Sequence, residues 1–147
     1  MNKNKLKFSL LKQFSLTHAT YEVLRNKLKA DNVSKVGNYE ANTYLFAYHN
    51  EHDDLVAGLY AFCRMGAFHV DLLWVDELLR GQKLGTKLLE QAEECARDNG
   101  ALYVNVNTAT FQALDFYLKN GYEVFAKLPL LINGMDNQYD YFLVKYL

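Results

Sequence analysis

Arg80-Gly81-Gln82-Lys83-Leu84-Gly85-Thr86-Lys87-Leu88-Leu89 carries the chain from a strand-like run into a helix-like one. The apolar run Val70 to Val75 precedes it, and a helical pattern ending at Gly100 follows. A small-residue turn that opens directly into a helix leaves backbone N–H groups unpaired and pointing outward. There the helix dipole helps them hold an anion. The expected ligand at Arg80–Thr86 therefore carries phosphate. Spacing narrows its class. An ATP-type loop has four residues between its glycines, then Lys and Ser/Thr. Here three residues separate Gly81 from Gly85, and Thr86 comes before Lys87. A dinucleotide loop needs a third glycine that this stretch lacks.

Outward from this turn the pattern alternates strand and helix. Residues 43–49, 55–64 and 67–75 read as consecutive strands, turned at His52-Asp53-Asp54 and Met65-Gly66. Helix 84–99 carries Leu84, Leu88, Leu89, Ala92, Cys95 and Ala96 at helical spacing and stops at Asn99-Gly100. Leu102, Val104 and Val106 then alternate along a strand. Strand–turn–helix–strand over 67–106 is a βαβ crossover, so its two strands are expected to be parallel. A helix at 109–120 and strands at 122–127 and 138–146 finish the chain, with Pro129 in a late loop. At the other end, 5–12 reads as a strand. Residues 17–30 read as an amphipathic helix with Ala19, Val23, Leu24 and Leu28 on one side and Thr17 as its cap. The sum is an α/β fold of one domain over residues 1–147, a mixed sheet flanked by helices.

Composition bounds the function. Half of the 147 residues are hydrophobic, which suits a globular core, and a formal net charge of −1 offers no basis for nucleic acid or an anionic membrane as partner. The lysines at 3, 5, 7 and 12 read as a solvated edge. Apolar runs are too short to span a bilayer and no secretory leader pattern is present, so a cytoplasmic protein is expected. Cys63 and Cys95 read as reduced, buried thiols, and His18, His49, His52 and His69 form no zinc motif, so no metal is expected.

Two motifs give the chain a family likeness. Arg80-Gly81-Gln82-Lys83-Leu84-Gly85 resembles the acetyl-CoA signature of the GNAT N-acetyltransferases, Arg or Gln followed by x-x-Gly-x-Gly/Ala, with Lys83 standing in place of the inner glycine. Leu73-Trp74-Val75-Asp76-Glu77 resembles the family's central strand. Ala113-Leu114-Asp115-Phe116-Tyr117-Leu118-Lys119-Asn120-Gly121-Tyr122-Glu123 resembles its second signature, a helix ending at Gly-Phe/Tyr-Glu. The likeness covers about residues 70 to 128. It implies a mostly antiparallel sheet in which one parallel pair of strands splays apart, with acetyl-CoA entering the gap as co-substrate.

The same resemblance distributes roles. Leu73, Trp74 and Val75 would pair with the pantetheine arm, and the segment's backbone N–H groups are the simplest oxyanion donors. Arg80, Gly81, Gln82, Lys83, Leu84, Gly85 and Thr86 would hold the pyrophosphate, mainly through backbone N–H groups. Lys83 is tolerated in a glycine slot unless the position requires positive φ, or its ammonium adds charge for a phosphate. Arg80 faces the pyrophosphate or salt-bridges within the turn. Tyr117 falls at the family's general-acid tyrosine, against the plainer reading of one packed tyrosine among eleven. Thr110 stands where many relatives have a CoA-contacting Asn, or simply caps the helix. Trp74 serves the core or the acceptor pocket.

A primary ammonium must lose a proton before it can attack. Glu77 is the first candidate base, acting through water, with Asp71 and His69 as the others. Glu40, Tyr44 and Tyr139 are possible acceptor-site linings. The leading reading is an acetyl-CoA-dependent N-acetyltransferase acting on a primary amine of a small molecule. The alternatives are a non-catalytic acyl-CoA-binding module of the same fold and a structural dimerising domain. Tyr139, Tyr141, Phe142 and Tyr146, with Val144 among them, put large apolar side chains on both faces of the last strand and suggest a homodimer.

Overall fold

The computed structural model describes residues 7–147. Backbone proximity divides the chain into a unit ending at Tyr39 and a unit Glu40–Leu147. The first holds helix α1 (Ala19–Val36). Its cap is His18, whose ring accepts the N–H of Thr20 at 3.2 Å. Thr17, the expected cap, instead bonds the Ser15 hydroxyl at 2.8 Å. The helix runs past residue 30 because nothing stops it before Gly37, which takes φ 81°. No α1 residue is buried, and Val23, Leu24 and Leu28 of the apolar side expected over 17–30 are exposed. The strand expected over 5–12 does not form at 7–12, where no ladder supplies partners for its backbone. Residues 5 and 6 lie outside the described residues.

The second unit is a six-stranded sheet of β1 (Asn42–His49), β2 (Leu55–Arg64), β3 (Ala67–Val75), β4 (Tyr103–Ala109), β5 (Glu123–Ile132) and β6 (Met135–Tyr146), in the order β1-β2-β3-β4-β6-β5. Met65 and Gly66, at φ 51° and 79°, make the tight β2–β3 turn. Helix α2 (Leu84–Asp98) carries the chain from β3 to β4, and those two strands pair in parallel, as expected. Alternation along β2 buries Ala57, Leu59, Ala61 and Cys63 on one face. Leu88, Leu89, Ala92 and Ala96 of α2 complete this core with Phe68, Val70, Val104 and Leu143. Each fully buried leucine contributes about 2 kcal/mol. Cys95 is only partly buried. No helix of the described residues is long and apolar enough to cross a membrane.

The C-terminal elements differ in extent from the sequence pattern. The helix expected over 109–120 is reduced to α3 (Leu114–Lys119). Gln112 Oε1 accepts the Ala109 N–H at 2.8 Å, and Thr108 Oγ1 accepts the Ala113 N–H at 3.3 Å. These bonds hold 109–113 as a turn. Strands β5 and β6 are longer than expected, and Pro129 lies inside β5 rather than in a loop. Proline is compatible there because β5 is an edge strand.

Candidate active site

The parallel ladder is short. Its pairs run from Ala67–Tyr103 to Val70–Val106 and stop, although β3 continues to Val75 and β4 to Ala109. Beyond that point β3 keeps only β2, and β4 keeps only β6. A bulge sits at the divergence: Ala61 pairs with Val70 and Tyr60 with Leu72, leaving Asp71 without a partner on β2. One extra residue reverses which side chains face the core. Phe68 and Val70 are buried before it, whereas Leu73 and Val75 pack on the core after it. Leu72 and Trp74 are thereby turned outward, Trp74 to 46% exposure, so the tryptophan is not a core residue.

Two adjoining clefts open where the strands part. One, of about 450 Å³, is bounded by Leu73 and Val75, by Arg80 and the first turn of α2, and by Phe116. The other, of about 420 Å³, is bounded by Asp71, Asn107, Thr108 and Tyr117. Leu73, Arg80, Gln112 and Ala113 line both.

The turn into α2 has the expected open N-terminus. Its first intrahelical bond runs from the Lys87 N–H to the Lys83 carbonyl (3.0 Å), so the N–H groups of Leu84, Gly85 and Thr86 precede the ladder. No side chain caps them. Lys83, the N-cap, takes φ 62° and ψ 16°, so the glycine slot does demand the left-handed region. A lysine there costs about 1–2 kcal/mol of backbone strain. Gly81 also has positive φ, and a methyl group on its Cα would meet nothing within 4 Å. Gly85 is different. A Cβ there would stand 3.1–3.2 Å from the Phe116 ring, so glycine lets α2 and α3 close on each other. Arg80 forms no ion pair in the turn. Its Nε donates to the Val75 carbonyl at 3.2 Å, tying the turn to the end of β3.

Tyr117 is 5% exposed, edge-on to both Phe116 and Tyr122, and lines the second cleft. Burial pushes its phenol up from 10.0 to about 12, so at neutral pH it carries its proton. Glu77 lies apart. It begins a one-turn 3-10 helix (Glu77–Leu79) capped by Asp76, is exposed, and lines neither cleft. Thr110 does not cap α3. Its hydroxyl accepts from the Tyr139 N–H at 2.8 Å and its N–H donates to the Tyr139 carbonyl, extending the β4–β6 ladder by one rung.

Sequence reasoning overlooked Gln112, which lines both clefts, and Glu93, which is buried. Tyr122 Oη donates to Glu93 Oε1 (3.2 Å), and Lys145 Nζ donates to Glu93 Oε2 (2.7 Å) and to the Asn120 carbonyl (3.0 Å). This network fixes the end of α3 against α2 and β6. The only hint in sequence was a glutamate placed between Ala92 and Ala96 on the apolar side of a helix.

An open helix N-terminus, a glycine with free space above it, and a strand lacking its outer partner together suit acetyl-CoA's phosphates and extended arm. Residues 40–124 match the model of the acetyltransferase (GNAT) domain. A blasticidin-S acetyltransferase of Streptomyces morookaense is 41% identical over 80 residues, 54% of this chain and 59% of that protein, so the chain spans under two thirds of that relative. An acetyltransferase of Agrobacterium fabrum is 30% identical over 115 residues, 78% of this chain and 84% of the relative. A crystal structure from Agrobacterium tumefaciens, assigned as an acetyltransferase, superposes with a TM-score of 0.87 at 27% identity, covering 97% of this chain and all of the other. The chain belongs to the GNAT acetyltransferases, a family that uses acetyl-CoA.

Proposed function

We propose that the protein is a cytoplasmic N-acetyltransferase that moves the acetyl group of acetyl-CoA directly onto a primary amine of a small molecule. The observation that carries this is the gap opened where the β3–β4 ladder ends at Val70–Val106, with a phosphate-ready helix start at one rim and a protonated, buried Tyr117 at the other. The N–H groups from Leu84 to Thr86 hold the pyrophosphate, with Gly81, Gln82 and Lys83 shaping the turn. Leu73, Trp74 and Val75 run beside the pantetheine arm, and their N–H groups stabilise the oxyanion. The amine nitrogen attacks the thioester carbon, and the adduct then collapses by breaking the C–S bond. Tyr117 gives its proton to the departing thiolate. A homodimer packed through β6 belongs to the same reading.

Thiol release from acetyl-CoA tests the proposal, with blasticidin S, aliphatic diamines, aminoglycosides and lysine peptides as acceptors. Blasticidin S is included because a relative is named for it. Turnover with at least one small amine, and little with peptides, is the expected result. The non-catalytic acyl-CoA-binding reading draws support from Glu77 lying outside both clefts. Acetyl-CoA that binds and is never consumed would establish it instead.

A further inference from the structure

We infer that Asp71, with His69 beside it, is the group that removes the proton from the attacking amine. The assignment rests on the acetyl-transfer reading above. Asp71 is the one β3 residue stripped of partners on both sides: the bulge removes its neighbour on β2, and the parallel ladder ends one residue earlier. A polar residue at a bulge beside a gap is re-aimed by the bulge, out of the strand's alternation. Its carboxylate, half exposed, lines the same cleft as Tyr117. Acid and base therefore share one opening.

His69 orients that carboxylate. Its Nε2 lies 3.9 Å from Asp71 Oδ1, and its Nδ1 lies 3.0 Å from Asn105 Nδ2 across the last stretch of parallel pairing. The Asn105 contact fixes which edge of the ring faces Asp71: Nδ1 is tied to the amide and Nε2 is turned towards the carboxylate. The 3.9 Å separation makes this a polar contact rather than a direct hydrogen bond. Phe62 packs on the imidazole, with 5.1 Å between ring centroids, and limits its tilt. Paired with Asn105 on one side, His69 does not line the cleft that Asp71 and Tyr117 share. It is a positioning residue.

The proton count closes. The ammonium first loses one proton to solvent through Asp71. The neutral amine forms the C–N bond, and the carbonyl π pair moves to oxygen. Asp71 then takes a proton from the positively charged nitrogen of the adduct. The oxyanion re-forms C=O as the C–S bond breaks, and Tyr117 protonates the thiolate. Solvent returns the proton on Asp71 to the phenolate, leaving amide, free CoA thiol and one released proton.

The test compares benzylamine, protonated at neutral pH, with hydroxylamine, whose nitrogen is largely unprotonated there. Asp71→Asn should lower kcat for benzylamine about 10²-fold with the acetyl-CoA KM unchanged, and the loss with hydroxylamine should be at least tenfold smaller. His69→Leu should lower benzylamine turnover by about tenfold, and His69→Gln, which keeps an N–H donor, should recover most of it. Equal losses with both nucleophiles, or full benzylamine turnover in Asp71→Asn, would overturn the assignment and leave acetyl transfer standing. A wild-type protein that binds acetyl-CoA and acetylates neither of these amines nor any acceptor of the panel above would overturn both.

Discussion

At the first turn of α2, Lys83 holds a left-handed backbone, no side chain caps the helix, and three N–H groups are left over. At the middle of the same helix, Glu93 is buried and its two oxygens are engaged by Tyr122 and Lys145, with Arg97 3.8 Å from Oε2. A polar group inside the core is fully satisfied, while polar groups at the rim are left wanting. That contrast separates a structural network from a binding site. Unmet hydrogen-bonding capacity is costly when buried, whereas at an open rim it stays available for a ligand to complete.

The largest effect should come from the rim. Tyr117→Phe keeps the ring and its edge-on packing, so stability and acetyl-CoA affinity should hold while kcat falls by about 10²–10⁴-fold. A Phe variant with near-normal kcat in steady-state assays would make Tyr117 a packing residue. The raised phenol also fixes a pH window. Its contribution to stability is whole below pH 10.0 and is lost as pH rises towards about 12, because the unfolded chain ionises first. Any alkaline fall in activity due to Tyr117 should accordingly centre near 12 rather than 10.

Removing Glu93 should break the other side of the comparison. Glu93→Ala strands Lys145 and the Tyr122 hydroxyl, and should cost about 3 kcal/mol in denaturant unfolding. Acetyl-CoA affinity in the folded fraction should be nearly unchanged. Gly85→Val tests the joint between the two regions. The first atoms its side chain meets belong to Phe116, so a stability loss of about 1–3 kcal/mol should accompany weaker acetyl-CoA binding in calorimetry. Lys83→Gly should have the smallest effect. Relief of the left-handed backbone should stabilise the fold by about 1 kcal/mol. If the ammonium also neutralises a phosphate, affinity should fall and become less salt-dependent.

How much of this the sequence revealed depended on whether the signal was local. The turn into α2, the parallel crossover and the β2–β3 hairpin follow from short-range patterns, and the structure matches them. The length of α3 did not follow, because it is set by the Thr108 and Gln112 side chains bonding back to the turn. The Asp71 bulge was invisible, since it exists only as a mismatch between two strands. Glu93 was hidden for a similar reason. Its partners lie 29 and 52 residues away, and a charged residue in a helix is ordinarily assigned to solvent. Of the proposed site residues, Leu73, Val75, Arg80, Gly81, Lys83 to Thr86 and Tyr117 gather around one gap, while Trp74, Glu77, Gln82 and Thr110 line neither of its clefts.

Pro129 bears on how the chain survives at high concentration. Strand β5 is one of the two edges of the sheet, and it displays Phe125, Leu128 and Leu131 to solvent. Such an edge would invite another molecule to add its own strand and begin a growing fibre. A proline within β5 has no N–H to offer a newcomer, so the zipper is interrupted in the middle of the exposed apolar stretch. Two copies that meet here would have to stack sheet faces rather than extend one continuous ladder. Exchanging Pro129 for a β-branched residue would lift that guard and turn the edge into a nucleus for aggregation.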